Sequence, residues 1–305
     1  MELRHLRYFV AVAEEANFTR AAARLGIGQP PLSQQIRDLE TELGTLLFHR
    51  VPHGAELTES GREFLVEARQ VLTGAEHAKE VARRAHRGEI GKLSLGFTGS
   101  AAFNPVVSTT IRNFRRSWPK VLLSLEEMNT FRLLERLERG DLDAAFIRPG
   151  AQDPDGVRVR RLPPEPMLIA LPASHPLANE LELPLSALAE QPFVLFPRGV
   201  GLSLYDQIVE SCRKSGFDPV IGQEAPQISS VVNLVAADLG VSIVPRSIAQ
   251  IALEGVVYRP IIGIAPTASL ALATPRDSRS TIVRNLLGLL TGFPGNSPDP
   301  SAPAG

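Results

Sequence analysis

Cysteine is almost absent: Cys212, within LYDQIVESCRKSG, is the only one in 305 residues. An intrachain disulfide is therefore excluded and a cysteine-based zinc site is not expected, which fits a reducing, cytoplasmic setting. Long apolar runs are missing too. Nothing approaches the roughly 18 residues that a membrane span needs, and the N-terminus MELRHLRYF has no apolar stretch of the secretory kind, so no membrane partner is expected. The sequence also has no G-x-S-x-G elbow, phosphate-binding glycine loop, metal-ligand cluster or close Ser/His/Asp arrangement. His175, in SHPLA, reads as a loop residue. Neither catalysis nor a cofactor is expected.

Excess positive charge is the absence that matters most. Net charge is −1, and residues 1–58 carry Arg4, Arg7, Arg20, Arg24, Arg37 and Arg50 against Glu2, Glu14, Glu15, Asp38, Glu40, Glu42 and Glu56. That balance lacks the basic footprint of a phosphate-binding surface, so any nucleic-acid function must rest on geometry.

What is present is enough apolar material for buried cores, 44% hydrophobic against 21% charged residues, in a chain too long for one ordinary domain of roughly 100–200 residues. The pattern predicts an α+β multidomain chain. Residues 1–60 form a small helical domain, 61–89 a long helix, and 90–292 a larger α/β domain. The segment 293–305, rich in Gly, Pro, Ser and Ala, reads as a disordered tail.

In the first segment Leu3, Leu6, Phe9, Val10 and Ala13 give one helix a buried face. Thr19 is a candidate cap for a second, short helix, RAAARL, ended by Gly26 and Gly28. A third follows in QPPLSQQIRDLETELG. Leu32, Ile36, Leu39 and Leu43 turn inward there, and Pro30, Ser33, Gln34 and Arg37 share the other face. Amide and guanidinium groups pair with adenine and guanine edges in the major groove, although any surface helix also carries a polar face. Two short helices joined by a glycine turn make a helix-turn-helix. TLLFHRVPHGAELT then reads as two strands around a turn, a wing that would carry Arg50 and His53 to the DNA backbone or minor groove.

The run AAARLGIGQPPLSQQIRDLETELGTLLFHR, with LTESG at 57–61, resembles the DNA-binding segment of LysR-type transcriptional regulators. The resemblance implies a winged helix-turn-helix whose third helix reads double-stranded DNA, with contacts from Gln29, Pro30, Ser33, Gln34 and Arg37 and wing contacts from Arg50 and His53. Gln34 departs from the family pattern, standing where many members carry Arg.

From Gly61 to His86 there is no proline. Phe64, Ala68, Val71, Ala75, Ala78, Ala82 and Ala85 form a heptad seam that needs a partner, either a second copy or the chain's own body. The resemblance implies an antiparallel homodimer through this helix and a homotetramer beyond it. Several recognition helices on one assembly would offset the weak charge of each. RNA polymerase is a further candidate partner.

Beyond Gly88 strands and helices alternate, the mark of α/β architecture. Two lobes are expected, lobe I at about 90–161 and 268–292 and lobe II at about 162–267. The arginines of VRVRRL read as an exposed edge strand with no ligand role. Ligands of such sheets sit where strands end and helices begin. Those positions hold Thr98 and Ser100, Thr130, Arg148, Ser203 and Ser229. Their chemistry suits a small organic anion, most simply a carboxylate, although the hydroxyls of Ser100, Thr130, Ser203 and Ser229 serve equally as helix caps. GFTGS, ASHPLA and VAADLGVSIVP resemble segments of the LysR-type effector domain, which is periplasmic-binding-protein-like. Members with GF–GS and an arginine after the third strand include regulators of aromatic-acid breakdown that bind muconate-like carboxylates. That likeness implies Ser100, Thr130 and Arg148 as effector ligands. A transport-type solute-binding protein would share the lobes but not the helix-turn-helix.

Overall fold

The structure, a computed structural model, describes residues 1–51 and 54–291, and the side chain of Arg50 is also outside the description. Two compact units are present, Met1–Ala85 and a second that begins at His86.

The first unit opens with α1 (Leu3–Glu15), α2 (Phe18–Leu25) and α3 (Gln29–Leu43). The α2 cap is Asn17, not Thr19: the Asn17 carboxamide oxygen accepts from Thr19 N and Arg20 N at 2.9 and 3.0 Å. The shorter reach of asparagine to both amides wins, and Thr19 becomes part of the helix. α2 and α3 end on Gly26 and Gly44 at φ of 67° and 69°, the left-handed geometry that glycine adopts without strain. Strands β1 (Phe48–Val51) and β2 (Gly54–Leu57) pair antiparallel, and Ala55 N donates to Ala16 O at the end of α1.

Helix α4 (Glu59–His86) completes this unit. Its entry explains the LTESG run. The Thr58 hydroxyl donates to Leu46 O at 2.8 Å and accepts from Gly61 N at 2.9 Å. A Cβ on Gly61 would stand 2.1 Å from Leu47 O, so only glycine lets the helix meet that carbonyl. Phe9, Phe18, Phe48 and Phe64 form a ring cluster with centroids 5.0–5.7 Å apart, fastening α1, α2, β1 and α4 together.

The heptad seam of α4 divides at about its first third. Ala68 is buried in the same core and Phe64 packs on it, whereas Val71, Ala78, Ala82 and Ala85 are exposed, with Val66 and Val81 exposed nearby.

The second unit contains β3 (Gly91–Phe97), α5 (Pro105–Ser117), β4 (Val121–Glu127), α6 (Thr130–Glu138), β5 (Ala144–Ile147) and the long β6 (Val157–Pro172). After β7 (Leu183–Pro184) come β8 (Pro192–Leu195), α7 (Leu202–Lys214), β9 (Val220–Glu224), α8 (Ile228–Ala236) and β10 (Ser242–Pro245). β11 (Val256–Ile262), β12 (Thr267–Pro275) and α9 (Thr281–Gly288) follow. One sheet runs β4-β3-β5-β12-β6-β11-β7, with β10 also on β6, and β8 pairs β9 in parallel.

β6 and β12 form the ribbon that joins two lobes. Over Val157–Pro166 β6 pairs with β12, and from Met167 it pairs with β10 and β11. Along VRVRRL β6 pairs with β12 alone, since β10 and β11 join it only from Met167, so these arginines lie on an edge, as expected. Consecutive arginines leave the strand on opposite faces: Arg160, on the side of Leu162, donates to Leu287 O at 2.8 Å, and Arg161, on the side of Val157 and Val159, pairs with Asp153 at 2.6 Å. The ladder slips between Ala268, opposite Glu165, and Leu270, opposite Leu162, so β6 carries one extra residue, a bulge at Pro163–Pro164 facing Ser269. Separate cores lie on the lobes, one around Phe114 and Phe146 and one around Phe193, Ile208 and Val232.

Candidate DNA-contacting face and ligand cleft

On α3 the side chains of Gln29, Pro30, Gln34 and Arg37 are exposed. Ser33, expected beside them, is buried at 2% exposure and accepts a hydrogen bond from Gln29 Nε2 at 2.8 Å. The buried surface of α3 is wider than its leucine stripe: Ser33 and Glu40 lie on a second inward row with Ile36. Glu40 uses that position to accept from Leu47 N at 2.8 Å and Phe48 N at 3.1 Å, pinning the start of the wing. Ser33 thus holds Gln29 in place instead of facing outward. Gln34 is oriented by Asp38, to which its Nε2 donates at 2.8 Å, leaving its carbonyl and second N–H open. Arg50 lies in β1, and its side chain and all of His53 fall outside the described residues, as does the segment 293–305.

Other arginines of this unit are held by acids. Arg20 and Arg24 bind Glu15 and Glu14, and Arg69 binds Glu14. The Arg69 and Arg24 hydrogen bonds hold the Glu14 carboxyl below its usual range. The outward cation of α3 is Arg37, consistent with the weak charge of the segment.

In the second unit a cleft of about 900 Å³ opens between the lobes and is lined by Thr98, Ser100, Thr130, Arg148, Ser203 and Ser229 together. None of the four expected capping hydroxyls is an N-cap. Ser100 precedes α5 by a turn and the cap there is Asn104, so that helix begins later than the sequence suggests. The caps of α6, α7 and α8 are Asn129, Gly201 and Gln227. Asn129 accepts from Arg132 N at 2.9 Å, but α7 and α8 receive no side-chain cap. Their first amides therefore face the cleft without an intrahelical acceptor. The hydroxyl of Thr98 is buried and has no hydrogen-bond partner among the described residues.

Arg148 departs from the clamp expected of it. At 4% exposure, its Nε donates to Ser100 Oγ at 3.2 Å, Nη1 to Ala268 O and Ser269 O at 3.4 and 3.0 Å, and Nη2 to Ser100 O at 3.3 Å and Glu165 Oε1 at 2.7 Å. Those acceptors match the five donors of a guanidinium. The Ala268 and Ser269 carbonyls that receive it lie where the ladder slips, opposite the β6 bulge. Burial pulls the guanidinium below the usual arginine value, and Glu165 offsets part of that. With no donor spare, Arg148 fixes Ser100 and braces the cleft floor.

No sequence signal marks Glu165. It also accepts from Asn104 Nδ2 at 3.1 Å and, through Oε2, from Ser247 N at 2.9 Å, so it ties the ribbon to both lobes. Prolines on either side in PPEP hint only at irregular backbone. Arg161 and Glu127, also at the cleft, look like ordinary surface charges in the sequence. Across the mouth, Ser203 Oγ donates to Pro149 O at 2.9 Å.

A helix-turn-helix with a wing, followed by two lobes around a ligand-sized cleft, defines a DNA-binding regulator with an effector-binding domain. Residues 3–62 match the bacterial regulatory helix-turn-helix protein, lysR family, and residues 86–293 match the LysR substrate binding domain. The chain belongs to the LysR family of transcriptional regulators. It is 42% identical to the HTH-type transcriptional regulator BudR of Raoultella terrigena, over 94% of this chain and 99% of that one. To AlsR of Bacillus subtilis it is 35% identical, over 94% of each. The crystal structure of the LysR family regulator CbnR superposes with a TM-score of 0.85 at 29% identity, covering 95% of this chain and 100% of that one. Full-length CbnR complexed with its target DNA gives 0.84 at 29% identity, covering 95% and 98%. Among the described residues no helix is long and apolar enough to cross a membrane.

Proposed function

We propose that this regulator senses a small organic carboxylate in the cleft and reads its operator through Gln29, Pro30, Gln34 and Arg37, with Arg50 and His53 on the wing. The observation that carries the effector class is the pair of uncapped helix starts. Gly201–Ser203 and Gln227–Ser229 bring the positive ends of α7 and α8 to one cleft, where backbone amides favour an anion. Thr98, Ser100, Thr130, Ser203 and Ser229 supply hydroxyls around it, and the unpartnered Thr98 hydroxyl gains its missing bond when an effector oxygen arrives. Arg148 acts through Ser100, not by direct contact.

The open part of the α4 seam pairs with the same helix of a second copy, and further pairing gives a homotetramer in the cytoplasm. An effector alters DNA binding only by preferring one arrangement of that assembly over another. RNA polymerase would meet the assembly once it is on DNA.

A thermal-shift screen of organic acids on the full chain tests the effector class. A carboxylate should raise the unfolding temperature by mass action, and Thr98→Val should weaken that rise without lowering the ligand-free midpoint. A panel in which only uncharged compounds stabilise the protein would sink the carboxylate reading. For assembly, Ala78→Glu should shift the species seen by sedimentation towards monomer.

A further inference from the structure

Among the described residues the charges around the cleft are paired, with one exception. Arg148 is matched by Glu165, Arg161 by Asp153 at 2.6 Å, Asp206 by Arg198 at 2.7 Å and Glu210 by Lys214 at 2.7 Å. Glu127, at the end of β4, has no ion-pair partner among the described residues and lines the same cleft. Its carboxylate lies against the Thr98–Ser100 loop: a Cβ on Gly99 would come within 2.8 Å of Glu127 Oε1.

From this pattern of charges we infer that Glu127 selects an effector bearing an ammonium group as well as a carboxylate, an amino acid or a close analogue. The inference rests on the carboxylate reading above and adds the second half of the ligand. Helix starts on α7 and α8 draw the acid group to lobe II. A second acid group turned towards lobe I would meet Glu127 across a cleft whose walls concentrate the field, and like charges there repel. An ammonium at that end finds an uncompensated carboxylate. Gly99 matters because a side chain there would push the carboxylate away from the loop that carries Thr98 and Ser100.

The test measures dissociation constants by calorimetry on the full chain with matched probes: norvaline against valerate, glutamate against glutarate, and butylamine alone. Wild type should bind the amino member of at least one pair about tenfold or more tightly than its plain acid, the range of a hydrogen bond to a charged group. Glu127→Gln should erase most of that preference while leaving the plain acid's affinity unchanged or improved. Glu127→Lys should reverse it in favour of glutarate. Because Glu127 is exposed, neither variant should disturb folding. Equal affinity within every pair, or a preference untouched in Glu127→Gln, would overturn the assignment while leaving the carboxylate reading standing. Binding of butylamine without any acid would do the opposite, keeping Glu127 and discarding the carboxylate. Silence across all probes would overturn both.

Discussion

The two units use their buried polar groups in opposite ways. In the first, Glu40 serves amides seven and eight residues on, and Thr58 serves Leu46 and Gly61. In the second, Arg148 reaches Ser269, 121 residues away, and Glu165 reaches Ser247, 82 away. Short-range bonds stiffen a helix and its wing as one body, which suits a surface that must hold a fixed register on DNA. The long-range bonds together tie each lobe to the ribbon, and Glu165 links the lobes by accepting from Arg148 and Asn104 as well, so that network must be kept or exchanged whenever the lobes move. The recognition unit is built to stay the same and the effector unit to respond.

The sharpest way to break this contrast is Glu165→Ala. It strands a buried guanidinium and should cost about 3–5 kcal/mol, read as an early unfolding transition of the second unit. Hydrogen exchange in residues 3–57 should be unaffected. Loss of protection there as well would show that the units are not independent. Next in size is Glu40→Ala, which leaves the amides of Leu47 and Phe48 unpaired at about 1–3 kcal/mol each. The effect should appear as faster exchange in β1 and β2 with the effector-induced thermal shift intact.

Smaller effects sharpen the comparison within α3. Gln34→Ala should weaken specific operator binding by about 1–3 kcal/mol in a footprinting titration. Ser33→Ala removes only the acceptor that steadies Gln29 and should weaken it less; the opposite ranking would restore Ser33 to the contact surface. Smallest is a change with no effect on the native state. Burial pushes the Cys212 thiol up to about 12, so at neutral pH it stays protonated and shielded. Iodoacetamide should label it only as the second unit unfolds, and Glu165→Ala should hasten that labelling.

Much of the first unit is legible in the sequence because its determinants are local. The spacing of Leu32, Ile36 and Leu39 sets the buried side of α3, although Leu43 at its last turn is exposed; Gly26 ends α2 at positive φ, whereas Gly28, expected to end it too, caps the start of α3. Ser33 escapes because apolar spacing cannot see a polar row that is buried by hydrogen bonding. Thr19 and Asn17 are both good caps, and only three-dimensional reach separates them. The cleft is legible as a set of loops, since strand-to-helix junctions gather on one side of such a sheet. Its wiring is not. Nothing near Arg148 in the chain indicates that its charge is answered by Glu165 across the ribbon, and nothing near Glu127 indicates that it is left unanswered.

The register of β12 around Ser269, opposite the β6 bulge, also constrains how this chain can change length. Side chains alternate faces along β12, so removing one residue there would turn every later side chain of the strand over, moving Leu270 and Leu272 out of their core. It would also draw the Ala268 and Ser269 carbonyls away from Arg148. An alteration of equal size in the exposed turn around Ala151–Asp153 would leave the ladder in step. Along this ribbon the residue count, as much as the residue type, is what keeps inside and outside apart.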